Sequence, residues 1–110
     1  MAAAYELKTS GDQFMFNLRG NNNEKLLTSE RYKTKQSAKE GIESVRVNSP
    51  TDARYDRKKA TNDQWYFVLK GGNGEVIGTG ETYSSKDAME TGIAAVKRHG
   101  PAAPIDDKTA

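Results

Sequence analysis

Gln13-Phe14-Met15-Phe16-Asn17-Leu18-Arg19 returns fifty-one residues later as Gln64-Trp65-Tyr66-Phe67-Val68-Leu69-Lys70. In both stretches every second residue is large and apolar: Phe14, Phe16 and Leu18 in the first, Trp65, Phe67 and Leu69 in the second. A period of two places those side chains on one face of a strand, and aromatics in that pattern mark a central, half-buried strand. Working outward, Lys8–Pro50 laid on Lys59–Pro101 without a gap gives 16 identical pairs in 43 positions. Such self-similarity means two copies of one supersecondary unit, each too small to bury its own apolar face.

Each unit reads as three strands followed by a helix. Tyr5–Thr9 alternates, with Tyr5, Leu7 and Thr9 on one face. A turn follows at Ser10-Gly11-Asp12, matched by Thr61-Asn62-Asp63, where Gly11 opposite Asn62 points to a positive φ in both copies. After the aromatic strand come hairpin loops at Gly20-Asn21-Asn22-Asn23 and Gly71-Gly72-Asn73-Gly74. The third strand, Glu24–Tyr32 and Glu75–Tyr83, is expected to carry Leu26/Ile77, Thr28/Thr79, Glu30/Glu81 and Tyr32/Tyr83 on one face.

Helices are expected from Thr34 and from Ser84 or Ser85, with Asp87 three residues after Ser84 as in a capping box. Ala38, Gly41, Ile42 and Val45 form one helical stripe, as do Met89, Gly92, Ile93 and Val96. Asn48-Ser49-Pro50 and Gly100-Pro101 end them. The reading is therefore an α+β fold of two tandem β-β-β-α repeats, 5–50 and 55–101, with a flexible tail over 102–110. The two repeats share one sheet and one core as a single pseudo-twofold domain over 1–110, monomeric or weakly self-associating.

The chain resembles the YegP-like proteins of bacteria, a family whose function is not established. The resemblance is carried by Phe14-Met15-Phe16-Asn17-Leu18, the Thr28–Tyr32 segment, Gly41-Ile42-Glu43-Ser44-Val45 and Asn48-Ser49-Pro50. In the second copy it rests on Trp65-Tyr66-Phe67-Val68-Leu69 and Thr91-Gly92-Ile93-Ala94-Ala95-Val96. It implies two β-β-β-α units merged into one curved sheet with packed helices, and it brings no catalytic residue with it.

Composition narrows the function. Seventeen basic and fifteen acidic residues give a net charge of +2, evenly spread, unlike the clustered excess of an electrostatic nucleic-acid binder. No cysteine is present, so disulfides, thiolate nucleophiles and zinc–sulfur sites are excluded, and a reducing cytoplasm is the expected home. No stretch has the roughly 20 apolar residues of a membrane span, and no apolar leader core opens the chain.

Several constellations invite chemistry and are weighed against plain structure. Mid-helix Gly41 and Gly92 each cost about 1 kcal/mol relative to alanine, which points to a contact too close for a methyl group. Thr28-x-Glu30-x-Tyr32 recurs as Thr79-x-Glu81-x-Tyr83, and a pseudo-twofold axis would be able to pair the two carboxylates for metal or acid–base work. The simpler expectation is that each is held by a helix N-terminus or a repeated lysine. His99 is the only histidine and ends the second helix, where a cation suits the helix dipole. The Gly71–Gly74 loop lacks the Lys-Ser/Thr ending of a phosphate loop.

Two surfaces are candidates for binding. Opposite Trp65 and Phe67, the second copy is expected to show Tyr66 and Val68 beside Val76, Gly78 and Gly80, where two glycines leave bare backbone to be covered by the protein's own helix, the favoured reading, or by a partner. The basic run Arg54, Arg57, Lys58 and Lys59 beside Tyr55, with Trp65, Tyr66 and Lys70, would serve single-stranded nucleic acid, or else guard an exposed edge strand. The functional expectation is a cytoplasmic, non-enzymatic binding or accessory module for a protein or peptide, without cofactor, metal or membrane. Single-stranded nucleic-acid binding through the Tyr55–Tyr66 region is the alternative.

Overall fold

A computed structural model describes residues 2–109; Met1 and Ala110, the ends of the expected domain, lie outside the described residues. The chain runs β1 (Ala4–Ser10), β2 (Gln13–Arg19), β3 (Lys25–Ser29), α1 (Lys35–Asn48), β4 (Tyr55–Lys59), β5 (Trp65–Lys70), β6 (Val76–Thr79), α2 (Lys86–His99) and β7 (Ile105–Asp107). A short 3-10 turn, Asp52–Arg54, leads into β4. One seven-stranded sheet results, in the order β4-β5-β6-β3-β2-β1-β7, antiparallel throughout except for the parallel pair β1–β7. The fold is thus α+β, with one mixed sheet and two helices.

The two meanders join at β3 and β6, where Thr28 pairs with Thr79, its own repeat equivalent. A residue paired with its counterpart lies on the pseudo-twofold axis. Both helices cover one face and bury Tyr5, Leu7, Phe16, Leu18, Phe67 and Leu69 beneath Ile42, Val45, Met89, Ile93 and Val96. The phenol of Tyr5 donates to Gly100 O at 2.6 Å, and that of Tyr55 donates to Ser49 O at 2.8 Å, so each first strand bonds the C-cap of the other repeat's helix. Burial raises both phenols well above the ordinary tyrosine range.

Caps and glycines follow from local chemistry. Thr34 Oγ1 accepts from Ser37 N (3.0 Å) and Ser85 Oγ from Ala88 N (3.1 Å). Because Ser85 and not Ser84 is the cap, the third position is Ala88, and Asp87 forms no capping box. A Cβ on Gly41 would meet the hydroxyl of Tyr32 and its Cζ at 2.7 Å; one on Gly92 would meet the hydroxyl of Tyr83 and its Cζ at 2.7 Å. The repeated tyrosine explains the repeated glycine.

Three local expectations are corrected. The gapless alignment fails at the first hairpin, since Ser10 and Gln13 close a two-residue turn whereas Ala60 and Gln64 enclose three residues. Tyr5 therefore corresponds to Tyr55, an offset of fifty. The positive φ in the second copy consequently falls on Asp63 (65°), not on Asn62, whose Oδ1 instead accepts from Gln64 N. Asn22-Asn23-Glu24 and Asn73-Gly74-Glu75 repeat that Asn-x-Glu/Gln turn, with φ of 65° at Asn23 and 83° at Gly74.

The third strand carries a bulge in each copy, between Leu18 and Arg19 against β3 and between Leu69 and Lys70 against β6. An extra residue reverses the alternation beyond it. Leu27 now pairs with Leu18 on the helix side, and Thr28 pairs with Asn17 on the other. Lastly, the segment after Pro101, expected as a loose tail, holds β7. Tyr5 N donates to Pro104 O at 2.8 Å, Lys108 N to Leu7 O at 2.7 Å, and Ala103 is buried. An open β1 edge and the ion pair Lys35–Asp107 (2.6 Å) supply the partners that composition alone does not reveal.

Candidate functional site

With both helices on one face, the other face of the sheet has no second layer among the described residues. One continuous row crosses it from edge to edge: Asp106, Glu6, Asn17, Thr28, Thr79, Val68 and Asp56. Tyr66, Val68 and Val76 stand on this open face, Val76 exposed, Tyr66 half-buried and Val68 buried. Gly78 and Gly80, expected beside them, are on the helix side, because the bulge shifts them by one residue. A Cβ on Gly78 would meet Leu27 Cγ at 2.9 Å, and one on Gly80 would run into the ring of Phe67 (Cδ2 2.7 Å). What covers the two glycines is the protein's own core, contributed by sheet side chains.

The open face also holds a residue that the sequence did not flag. Asn17 is 1 % exposed; its Nδ2 donates to Thr28 Oγ1 at 2.9 Å, while its Oδ1 has no hydrogen-bond partner. Its repeat equivalent is Val68, so the only sequence signal was a polar residue where the other copy is apolar.

The basic residues do not gather into one patch. Arg57 and Lys59 pair with Phe67 and Trp65 on the helix side, whereas Lys58 pairs with Tyr66 on the open side. Lys70 sits on the open side against Asp56 at 2.7 Å. Arg57 bonds both Glu90 (Nη2–Oε1 3.0 Å) and Asp52 (2.8 Å), and Arg54 donates to Asn48 Oδ1 at 2.9 Å. These pairs hold Glu90 and Asp56 below their usual values, through Arg57 and Lys70 respectively. Asp52, held by Arg57 and then Lys97, falls to about 2.

Glu30 and Glu81 do not meet. Each is two residues past the Thr28–Thr79 pair in opposite directions, about 13 Å apart at ~3.3 Å per residue. Neither forms an ion pair with the repeated lysines among the described residues. Glu30 instead lines a cleft of about 340 Å³ with Tyr32, Ser44, Glu75, Ile77 and Val76, which therefore also borders this cleft at the end of β6. Burial, and then Glu30, pushes the Tyr32 phenol up. Among the described residues no group of three or more His, Cys, Asp or Glu is arranged to hold a metal ion. His99 closes α2, where its carbonyl accepts from Ala103 N at 3.0 Å. No described helix is long and apolar enough to cross a membrane.

A two-repeat α+β sheet with both helices on one face defines a class of small tandem-repeat domains. The chain belongs to the family described as a domain of unknown function, DUF1508, whose sequence model matches residues 10–56 and 60–107. Each match begins near the first hairpin turn and runs through the helix into the next strand. The chain is 46% identical to the UPF0339 protein YegP of Escherichia coli K12 over 110 residues, covering 99% of this chain and 100% of that protein. It is 49% identical to a UPF0339 protein of Bordetella pertussis over 109 residues, 99% of this chain and 98% of the relative. The solution NMR structure of yegP from E. coli, a protein of unknown function, superposes with a TM-score of 0.93 at 46% identity, covering 100% of this chain and 96% of that one. The UPF0339 protein of Shewanella oneidensis, also solved by NMR, gives 0.91 at 47% identity, covering 99% and 93%.

Proposed function

We propose that the protein is a non-enzymatic binding or accessory module that receives a protein or peptide on the open face of its sheet. The observation that carries this reading is the unlayered face itself. A sheet normally buries both faces or presents a polar one, and here half-buried Tyr66 and exposed Val76 add apolar surface at the β5–β6 end, with Val68 buried between the strands. The catalytic alternatives lack a support of equal weight: the cleft beside Glu30 brings two carboxylates and a phenol, without a nucleophile–base pair. The absence of cysteine favours a cytoplasmic setting.

The test is a photocrosslinking amino acid placed in cells at Tyr66, at Val76, and at the exposed helix position Lys39 as control. A discrete protein adduct from the first two positions and none from Lys39 is the expected result. Equal adducts from Lys39, or none from any position, overturn the reading. A nuclease-sensitive adduct would move the assignment to single-stranded nucleic acid.

A further inference from the structure

The outer edge of β1 is filled and that of β4 is not, although the two strands are structural equivalents. Tyr5 and Tyr55 occupy the same place: each bonds the opposite C-cap, and each lies under a helix cation, Arg46 at 5.5 Å and Lys97 at 5.6 Å. Along β1, β7 runs parallel with Tyr5↔Ile105, Glu6↔Asp106 and Leu7↔Asp107. Along β4 the chain offers no such strand, because the segment after α1 that corresponds to β7 is consumed in forming the 3-10 turn and β4 itself. β4 is the last strand of the sheet. Ala60 N donates to Gln64 O, so alternation turns the N–H and C=O of Arg57 and Lys59 away from β5, outward along the free edge of the sheet.

The side chains around the two edges match as well. Lys35 grips Asp107 of β7 from the first turn of α1. Its counterpart in α2 is Lys86, which makes no ion pair among the described residues and lies 5.9 Å from the centre of the Trp65 ring, with Lys59 at 5.5 Å from it. Arg57 takes the place of Leu7, the residue beside Asp107. Lys59 and Arg57 thus stand on the helix side of the edge strand, with Lys86 above Trp65 of the next strand inward, and the nearby Glu90 and Asp52 are both already bonded to Arg57.

We propose that the open edge of β4 accepts an extended acidic segment of a partner protein as a parallel strand, with a carboxylate beside Arg57 gripped by Lys86 as Lys35 grips Asp107. Strand addition draws affinity from the backbone ladder and selectivity from alternate side chains. A second copy is disfavoured, since two β4 edges would set Arg57, Lys58 and Lys59 against their own kind. The inference rests on the binding-module reading but uses the β4 edge and not the open face, so the two surfaces are tested separately.

The probe is a blocked synthetic Pro-Ile-Asp-Asp-Lys-Thr peptide, the sequence of residues 104–109, with Pro-Ile-Asn-Asn-Lys-Thr as control. Amide shifts of the full-length protein are followed by NMR. The expected result is saturable change at Arg57 and Lys59, about three- to fivefold weaker for the control peptide and for Lys86→Ala, and weaker again at high salt. Shifts confined to β1, which would mean exchange with β7, overturn the proposal, as does equal binding of the control peptide. Movement of the β4 amides with protein concentration alone would assign the edge to a second copy and also overturn it.

Discussion

Gly41 shows how one atom sets the distance between helix and sheet. Replacing it with alanine adds about 1 kcal/mol of helix propensity, yet the new methyl would stand against the Tyr32 ring, with Cζ at 2.7 Å. Overpacking of that kind costs about 1–3 kcal/mol, so Gly41→Ala is expected to destabilise the protein in urea unfolding. In a Tyr32→Leu background only the approach of Phe16 Cε2 at 3.1 Å remains, and the same substitution should cost less than it does in the wild type. A Gly41→Ala variant more stable than wild type would show that the tyrosine yields freely. The glycines were legible in the sequence as close contacts because they recur at one helical position. Their partner was not, since Tyr32 and Gly41 meet only when the bridge from Phe14 to Tyr32 sets the phenol under the middle of α1.

Among the elements, β7 was the least legible, a three-residue strand in a segment of alanine, proline and aspartate. Its hold is partly electrostatic. Lys35, then the hydroxyl and N–H of Thr109, keep the Asp107 carboxyl well below the usual range. A carboxyl depressed on folding contributes its stabilisation above the unfolded value of about 3.9 and loses it as pH falls through the lower folded value. Acid below about pH 4 should therefore loosen β7 first, seen as faster hydrogen exchange at Lys108 N–H while the β2–β3 amides remain protected. Lys35→Ala should flatten that pH dependence. An unchanged profile in the variant would mean that the backbone ladder alone holds the strand. The bulges were equally hidden. Adjacent Leu26 and Leu27 are both buried, yet Ile77-Gly78 in the second copy carries no such sign, and only pairing with Leu18 and Leu69 locates the extra residue.

At the scale of the whole molecule, the two copies have diverged where they touch. Leu27 of the first copy fills the space over Gly78, its equivalent, and the buried Ser49 lies on Gly100, its equivalent, with Cβ atoms 2.9 Å apart were Gly100 to carry one. Two leucines or two serines would collide there. A homodimer of the first repeat is consequently disfavoured, and the complementary partner is the second repeat. Fragments 1–50 and 51–110, mixed in equal amounts, should associate into one species whose NMR spectrum overlays that of the intact chain, with each fragment alone poorly folded. A dispersed monomeric spectrum from 1–50 alone would show that the halves do not depend on a shared core.

Alternation in Gln13–Arg19 and Gln64–Lys70, the helical stripes and the repeat between them were enough to determine strands, helices and a joint core. Those features depend on residues near one another in sequence, and apolar periodicity reports them directly. Which face Gly78 and Gly80 occupy, how Glu30 and Glu81 stand to each other, and which edge is left open were decided only by the tertiary structure. A bulge moves every later side chain by one position, and a twofold axis places equivalents by strand register. Edge strands, for their part, are filled or vacant according to chain segments distant in sequence.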